Sequence, residues 1–221
     1  MSWVGRPEWP RERLWLWRLG FPLVRAVATT LLPIDAEGRE NVPQSGGYIL
    51  VANHVTGLDP FWIEFALRER IRYMTKVEIL GYPLIGGILR GIGNFPVRRG
   101  ESDRRALETA LRVLQAGQPL GFFPEGTRSR TGRLRRAKPG IAFLARRSGA
   151  PIVPVAITGS ARARLRVPPR RDMHVRVGKP FTLADLAGPD RMDDQALADA
   201  IVRRIAELLP DEMKGEYAPV H

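Results

Sequence analysis

Short apolar runs that alternate with helical stretches are the feature that most constrains the fold of this chain. Runs rich in β-branched or large side chains, as expected of strands, occupy residues 48–52, 71–75, 120–123 and 152–157. Amphipathic helical patterns lie between them, as in residues 102–116, for which Ser102 is the predicted N-cap. Alternation of this kind predicts an α/β fold, with a mainly parallel central sheet flanked by helices and a site at the strand ends.

The charge of the chain is its most unusual compositional property. Its 221 residues are enough for a sizeable core, and 44% hydrophobic and 26% charged residues are ordinary for a globular protein. An excess of 35 Lys and Arg over 23 Asp and Glu gives a net charge of +12, which implies an anionic partner: nucleic acid, an anionic membrane face or a phosphorylated ligand. Because there is no cysteine, thiolate nucleophiles and disulfides are excluded. Residues 1–10 contain Pro7, Glu8 and Pro10 instead of the basic start and apolar run of a signal peptide, so a cytosolic location is expected.

The N-terminal stretch, residues 10–32, has a helical pattern rich in aromatic side chains, with a predicted break at the tripeptide 20–22. Arg11, Arg18 and Arg25 are seven apart and are predicted to share one face opposite Trp and Leu. A basic stripe on a segment too interrupted to span a bilayer is typical of helices that lie in the headgroup layer. The alternative is a helical pair packed on the protein's own core. We therefore predict a membrane-binding segment, residues 1–34, followed by an α/β domain, residues 35–221.

Residues 53–60, Asn-His-Val-Thr-Gly-Leu-Asp-Pro, connect a predicted strand to a predicted helix. His54 lies where the strand ends, and Asp59 and Pro60 begin the helix. A histidine and an aspartate at such a corner form a candidate general base with its orienting carboxylate. The alternative is purely structural, with Asp59 as an N-cap, Pro60 in the first helical position and His54 as a hydrogen-bonded turn residue.

Two further predicted strands end in polar residues. Arg98 and Arg99 follow a strand predicted over residues 91–97, and Glu125 and Arg128 follow the strand at 120–123. The carboxyl ends of parallel strands meet at one edge of a sheet, so these side chains are expected in one crevice with His54. Guanidinium groups there are suited to binding a phosphate.

Several other chemistries lack their sequence patterns. The chain contains no Gly-x-Ser-x-Gly elbow, no P-loop, no complete dinucleotide fingerprint and no His-Glu-x-x-His pair. With three histidines and no cysteine, no metal centre is expected. A histidine base without an enzyme nucleophile is suited to activating a hydroxyl group of the substrate itself.

Four blocks of the chain resemble, in order, those of the PlsC-type glycerolipid acyltransferases. Residues 53–60 resemble the block Asn-His-x-Ser-x-x-Asp, with threonine where serine is commoner. Residues 123–129, Phe-Pro-Glu-Gly-Thr-Arg-Ser, match the third block, and residues 153–157 match the fourth. The second block is looser: in residues 93–99 the family's arginine position is kept by Arg99, whereas Arg98 replaces an acid or amide.

The resemblance implies a role for each matching residue. His54 would take the proton from the acceptor's hydroxyl as that oxygen attacks an acyl thioester, and Asp59 would hold the other ring nitrogen. Glu125 is acidic, so we expect it to anchor the loop or an arginine rather than to touch phosphate. The residues predicted to shape the phosphate site are Arg99, Glu125, Gly126, Thr127, Arg128 and Lys138.

The implied function is transfer of a fatty acyl group from acyl-CoA or acyl carrier protein to a lysophospholipid, in the first place 1-acyl-glycerol-3-phosphate, to give phosphatidic acid. No cofactor is implied. The expected location is peripheral, on the cytoplasmic face of the membrane, where anionic lipid attracts a basic face. Residues 77–90, apolar but interrupted by Gly and Pro, are predicted to form a broken helix or loop that lines an acyl tunnel, rests on lipid or joins the core.

Two alternatives remain open from the sequence. In the first alternative, the chain is an acyltransferase whose acceptor is another lysolipid, such as lyso-ornithine lipid. In the other, the chain is a non-enzymatic binder of anionic lipid or nucleic acid. Nucleic acid is the less favoured partner because no nucleic-acid-binding motif is present.

Overall fold

The structure is a computed structural model that describes residues 13, 15–98, 103–163 and 172–219. Within these ranges the chain forms seven strands and seven α-helices, with short 3₁₀ turns between them. The strands are β1 (Ile34–Glu37), β2 (Ile49–Ala52), β3 (Arg72–Lys76), β4 (Phe95–Val97), β5 (Leu120–Phe122), β6 (Ile152–Thr158) and β7 (Met173–Val177). The helices are α1 (Phe21–Leu31), α2 (Asp59–Leu67), α3 (Val77–Leu80), α4 (Pro83–Gly91), α5 (Arg104–Gln115), α6 (Gly140–Ser148) and α7 (Asp194–Ala206).

The seven strands form one sheet in the order β1-β7-β6-β2-β5-β3-β4. Strands β6, β2, β5, β3 and β4 run parallel, because a helix or a long connection returns the chain between them. Strand β7 pairs antiparallel with β6, and β1 pairs parallel with β7. The predicted α/β fold with a mainly parallel sheet is confirmed.

Both faces of the sheet are buried at its centre, as is typical of parallel strands covered by helices. Along β2, Ile49 and Val51 belong to the core beneath α5, α6 and α7. Leu50 and Ala52 point to the opposite core, which contains α2. The strand therefore has no solvent-facing position, which explains its unbroken apolar sequence.

The N-terminal segment is helical where it is described, but it is not broken at residues 20–22 as predicted. A π-helical turn, Leu16–Gly20, leads directly into α1, and the N–H of Phe21 donates to the carbonyl of Leu16. Pro22 lacks an N–H and crowds the preceding turn of a regular helix, and a wider turn gives its ring room. The chain thus adjusts its helical register instead of ending the helix.

The outward face of this segment is apolar instead of basic. Arg18 is exposed, but Arg25 turns inward and its Nε donates to the carbonyl of Phe65 at 2.9 Å. Arg11 lies outside the described residues. Exposed apolar side chains recur every four residues and form one stripe: Trp15, Leu19, Leu23, Val27 and Leu31.

Residues 77–90 form the predicted broken helix, as α3 and α4. The strand predicted from residue 91 begins only at Phe95, because Gly91 still belongs to α4. A Cβ on Gly91 would lie 2.6 Å from Cδ1 of Leu16, so glycine allows α4 to pack against the N-terminal segment. The N–H of Arg13 also donates to the carbonyl of Gly91 at 2.8 Å. Exposed apolar side chains here are Val77, Ile79, Tyr82, Leu84, Ile85 and Ile88.

Two further local predictions can be compared with the structure. Asp103 caps α5, since its side chain accepts from the N–H of Ala106, and the predicted cap Ser102 lies outside the described residues. Of the helices in the described ranges, none has both the length and the apolar character needed to cross a membrane.

Candidate active site

The carboxyl ends of β2, β4 and β5 lie at one edge of the sheet, and the predicted site residues follow them. His54 comes two residues after β2, Arg98 directly after β4 and Glu125 three residues after β5. The structure therefore brings these three segments to the same edge. Arg99, which was predicted to bind phosphate, lies outside the described residues.

His54 and Asp59 form a buried pair. Nδ1 of His54 lies 3.0 Å from Oδ2 of Asp59, and the two residues are 5% and 0% exposed. Asp59 is not the N-cap of α2, because Leu58 precedes it in that position. Its carboxylate instead turns back to the loop and accepts from the N–H groups of Val55 (2.6 Å) and Thr56 (2.7 Å) and from Oγ1 of Thr56 (2.7 Å).

This environment keeps Asp59 ionised. Burial disfavours the charged form and would by itself raise the pKa of the carboxyl. The hydrogen bonds from His54, Thr56 and Val55 act in the opposite direction and together hold the pKa of Asp59 below its ordinary value. A permanent negative charge therefore lies beside Nδ1 of His54, where it favours a proton on that nitrogen.

The imidazole ring is held on a second side by an aromatic stack. The ring of Phe123 lies over that of His54 at 4.1 Å with an interplanar angle of 20°, and the ring of Tyr73 in turn stacks on Phe123 at 5.6 Å. With Nδ1 engaged by Asp59, Nε2 is the ring nitrogen without a protein partner among the described residues. The pair thus presents one nitrogen for a substrate proton.

Glu125 joins the His54 corner to the loop after β5. Its Oε1 accepts from the main-chain N–H of His54 at 2.8 Å, and its Oε2 accepts from the N–H of Arg135 at 3.1 Å. The residue is 2% exposed, and burial raises the pKa of its carboxyl to about 7 against the effect of these hydrogen bonds. Both oxygens accept hydrogen bonds within the protein, and Glu125 thereby joins the His54 turn to the basic loop.

Asn53 is a site residue whose role the sequence analysis did not identify. Its Nδ2 donates to the carbonyl of Ile157 at 2.9 Å, and its Oδ1 accepts from the N–H of Ile157 at 2.8 Å. The side chain thereby continues the pairing of β2 with β6 by one residue and fixes the start of the His54 turn. The sequence did contain a signal for this role, because Asn53 is a polar residue that directly follows the four apolar residues of β2.

The connection from β5 to α6 carries a basic loop, residues 126–138, in which six of thirteen residues are Arg or Lys. Gly126 has φ of 68°, and a Cβ there would lie 2.8 Å from Cδ of Lys138, so the lysine side chain lies across this glycine. Nη1 of Arg128 lies 3.6 Å from where a Cβ on Gly57 would be, beside the His54 turn. Thr127, between them in the loop, is partly exposed. The structure thus places Arg128 beside the His54 turn and Lys138 over Gly126, at the start of the basic loop.

A cavity of about 440 Å³ opens beside this edge, between the sheet and α5 and α6. Its wall is mostly apolar, and its charged lining residues are two cations, Arg98 and Lys138, and two carboxylates, Asp103 and Asp194. His54 does not line it, but Phe123, which stacks on His54, does. The apolar lining residues are Met74, Val97, Ala106, Leu107, Phe122, Phe123, Pro124, Pro139 and Phe143. Among the residues that the structure describes, no cluster of three or more His, Asp or Glu side chains is arranged to hold a metal ion.

Comparison with known proteins agrees with this architecture. A sequence model of the Acyltransferase family matches residues 33–158, more than half of the chain. A protein of Bacillus subtilis named 1-acyl-sn-glycerol-3-phosphate acyltransferase is 30% identical over 177 residues, which are 79% of this chain and 87% of that protein. A protein of the same name from Chlamydomonas reinhardtii is 29% identical over 82% of this chain and 55% of its own length.

The crystal structure of the 1-acyl-sn-glycerophosphate acyltransferase PlsC from Thermotoga maritima has the same fold. The two chains superpose with a TM-score of 0.68 at 22% sequence identity, over 89% of this chain and 80% of that one. Fold and family together define the chain as an enzyme, an acyltransferase. More particularly, it belongs to the Acyltransferase family, and the resemblance to PlsC-type enzymes seen in its four sequence blocks is confirmed.

Proposed function

We propose that this enzyme transfers a fatty acyl group from acyl-CoA or acyl carrier protein to the free hydroxyl of 1-acyl-glycerol-3-phosphate and so forms phosphatidic acid. The observation that carries the proposal is the buried pair of His54 and Asp59, with Nδ1 and Oδ2 3.0 Å apart, at the edge that also holds the basic loop. The names of the relatives give the acceptor class, because those proteins are named for acyl transfer to 1-acyl-sn-glycerol-3-phosphate.

In the proposed reaction, Nε2 of His54 accepts the proton of the acceptor's hydroxyl as that oxygen attacks the thioester carbonyl. The carbon–sulfur bond then breaks, the ester forms, and the proton passes from the imidazolium to the leaving thiolate. Asp59 stabilises the imidazolium during this exchange, because its carboxylate is ionised and contacts Nδ1. General-base assistance of this kind contributes roughly 10²–10⁴-fold to the rate.

The acceptor's phosphate is assigned to the cations of the basic loop. Arg128 lies beside Gly57 of the His54 turn, and Lys138 lies across Gly126. The loop that carries both cations is hydrogen-bonded to the main chain of His54. The N–H of His54 donates to Glu125 at 2.8 Å, and the N–H of Ser129 donates to the carbonyl of His54 at 2.7 Å. Arg99 is proposed as a further phosphate ligand on the ground of the family block alone. Phosphate held here would fix the glycerol hydroxyl relative to the base.

The cavity beside the site is proposed to receive an acyl chain. Its apolar wall suits a hydrocarbon, and its charged lining residues, Arg98 and Lys138 with Asp103 and Asp194, suit a polar group at the end of that chain. Its volume of about 440 Å³ lies within the range of sites that bind small molecules. Phe123 would separate the chain from the imidazole on which it stacks.

A peripheral location on the cytoplasmic face of an anionic membrane is also proposed. Within the described residues, every strongly exposed large apolar side chain except Leu58 lies in residues 15–31 or 77–88. The first stretch packs against α4 through Leu16 and Gly91, and we propose that the two stretches together form one exposed apolar face. The charged residues of these stretches are Arg18, Arg25 and Glu78, and Glu78 pairs with Lys76 at 3.2 Å. An apolar face with basic charge is suited to a surface of anionic lipid.

The direct test is an acyl-transfer assay with a panel of lysolipids and both classes of donor. The proposal predicts transfer to 1-acyl-glycerol-3-phosphate at a kcat/KM at least about tenfold above that for lyso-ornithine lipid or lysophospholipids with larger head groups. Preference for lyso-ornithine lipid would move the assignment to that acceptor. Absence of transfer to every acceptor with both donors would overturn the proposed reaction.

A further inference from the structure

The basic loop is long and has no helix or strand of its own. It runs from Gly126 to Lys138 with only turns and bends. Loops of this length in a compact domain need side chains or other segments to hold them. Its first half is tied to the catalytic corner, because the N–H of Ser129 donates to the carbonyl of His54. The second half is tied to a different part of the chain.

That part is the C-terminal segment, residues 211–217, in which the sequence pattern indicated no function. The N–H of Leu134 donates to the carbonyl of Met213 at 2.8 Å, and the N–H of Glu216 donates to the carbonyl of Leu134 at 3.3 Å. Gly215 between them has φ of 52°, and a Cβ there would lie 2.1 Å from the carbonyl oxygen of Leu134. The C-terminal segment thus pairs with the loop as a very short strand would.

Tyr217 makes the most specific contact between the two. Its hydroxyl accepts from the N–H of Ala137 at 2.8 Å and donates to Oδ1 of Asp199 in α7 at 2.7 Å. Nε2 of Gln195, also in α7, donates to the carbonyl of Ala137 at 3.0 Å. Tyr217 and Ala137 are 6% and 4% exposed. The peptide groups on both sides of Ala137 are therefore fixed, by the buried Tyr217 on one side and the half-buried Gln195 on the other.

The residue held in this way is the immediate neighbour of Lys138. The N–H of Lys138 donates to the carbonyl of Pro124 at 2.8 Å, and the side chain of Lys138 lies across Gly126 and lines the cavity. The main chain of Arg135, two residues before Ala137, is held by Glu125. Displacing Ala137 would thus move Lys138 relative to the imidazole of His54.

From these contacts we propose that Tyr217 is a positioning residue for the anion site: through Ala137 it fixes Lys138 where the acceptor's phosphate binds. The inference deepens the proposed function and rests on it for the identity of the acceptor. It assigns to the C-terminal segment a part in substrate affinity that lies outside the four family blocks, which end at residue 157.

The test compares Tyr217→Phe with Tyr48→Phe. The first change removes the hydroxyl that pairs with Ala137 and Asp199 and keeps the ring. The second removes the hydroxyl of another buried tyrosine, which has no hydrogen-bond partner among the described residues. Trypsin reports on the loop directly because six of its residues are Arg or Lys. We expect Tyr217→Phe to raise cleavage within the loop about tenfold, equivalent to about 1.4 kcal/mol, and Tyr48→Phe to leave it unchanged.

Binding is measured separately from turnover, with sn-glycerol 3-phosphate as the probe. It should protect the wild-type loop from trypsin, and Tyr217→Phe should need about tenfold more of it for the same protection. Equal cleavage and equal protection in the wild type and Tyr217→Phe, or no protection of the wild type, would overturn the inference. These readouts do not require acyl transfer, so a failure of the proposed reaction shows separately, as a wild-type enzyme without turnover.

Kinetics distinguish positioning from a general loss of stability. Tyr217→Phe should raise KM for 1-acyl-glycerol-3-phosphate about tenfold while KM for the donor and kcat change less than about twofold. In a Lys138→Ala background, the same change should have almost no further effect on the acceptor's KM, since Tyr217 acts through that lysine. A fall in kcat with unchanged KM, or multiplicative effects in the double variant, would show that Tyr217 serves stability alone.

Discussion

The main-chain N–H of His54 donates to Oε1 of Glu125 at 2.8 Å across 71 residues of sequence. The other oxygen of the same carboxylate accepts from Arg135, so one buried side chain connects the corner after β2 to the basic loop after β5. The proposed base and the proposed phosphate ligands are thereby parts of one rigid arrangement. Their relative position depends on contacts between distant segments more than on either segment alone.

The first prediction concerns the buried carboxyl of Glu125. Its pKa is about 7 in the folded protein against 4.5 ordinarily, because burial disfavours the charge. The folded state therefore binds this proton more tightly than the unfolded state does, and the resulting stability is present below about pH 4.5 and lost as the pH rises to 7. Relative to Glu125→Gln, the wild type should lose about 3 kcal/mol of unfolding free energy between pH 4 and pH 8. Denaturant unfolding at both pH values measures this difference, and an advantage of the wild type that grows with pH would contradict the prediction.

The second prediction uses a matched pair of glycines in the basic loop. Gly126 and Gly132 both have positive φ, so alanine at either position costs about 1–2 kcal/mol in backbone strain. A Cβ at Gly126 also meets Cδ of Lys138 at 2.8 Å, whereas one at Gly132 meets nothing within 4 Å. Gly126→Ala should therefore raise KM for the phosphate-bearing acceptor about tenfold more than Gly132→Ala does, through the weakened charge-assisted contact of Lys138. Equal KM values for the two variants would show that Lys138 does not bind the acceptor.

The third prediction concerns Asn53. Asn53→Ala leaves the buried N–H and carbonyl of Ile157 without the partners they now have at 2.8 and 2.9 Å. The expected loss of stability is about 2–4 kcal/mol, together with a lower kcat because the His54 turn loses its support. The control is Asn41→Ala, which removes one half-buried bond to the carbonyl of Val177, away from the site. It should cost about 1 kcal/mol and leave kcat unchanged. A similar kcat for both variants would remove Asn53 from the support of the site.

The fourth prediction tests the exposed apolar face against lipid. Leu23→Asp and Leu84→Asp place a charge on its two parts, where the side chains are 68% and 77% exposed. Each should weaken binding to vesicles that contain phosphatidylglycerol at least about tenfold, since burial of a leucine contributes about 1.5–3 kcal/mol. Ser45→Asp adds the same charge on an exposed loop away from this face and should have little effect. Cosedimentation with the vesicles at low and high salt measures the apolar and the electrostatic contributions to binding. Unchanged binding of all three variants would place the membrane contact elsewhere.

The sequence predicted most of the sheet and the position of the site, because both have local signals. Alternating apolar runs specify buried strands, and His54 and Asp59 are five residues apart across one turn, so their pairing needs no distant contact. The role of Tyr217 had no such signal, since its partners Ala137 and Asp199 are distant in sequence. The outward face of α1 was predicted wrongly because the π-helical turn shifts the helical register and Arg25 finds the carbonyl of Phe65. The inward turn of Arg25 and the contacts of Tyr217 thus depend on distant segments, whereas the π-helical turn is local.

The most direct measurement is the turnover of His54→Ala with 1-acyl-glycerol-3-phosphate and an acyl thioester. The change keeps the main-chain bonds of residue 54 to Glu125 and Ser129, so the loop and the phosphate site should remain in place. The account predicts a fall in kcat of roughly 10²–10⁴-fold, in a protein that still folds and binds anionic vesicles as the wild type does. A folded His54→Ala protein that transfers acyl groups at the wild-type rate would contradict the role of this imidazole as the base.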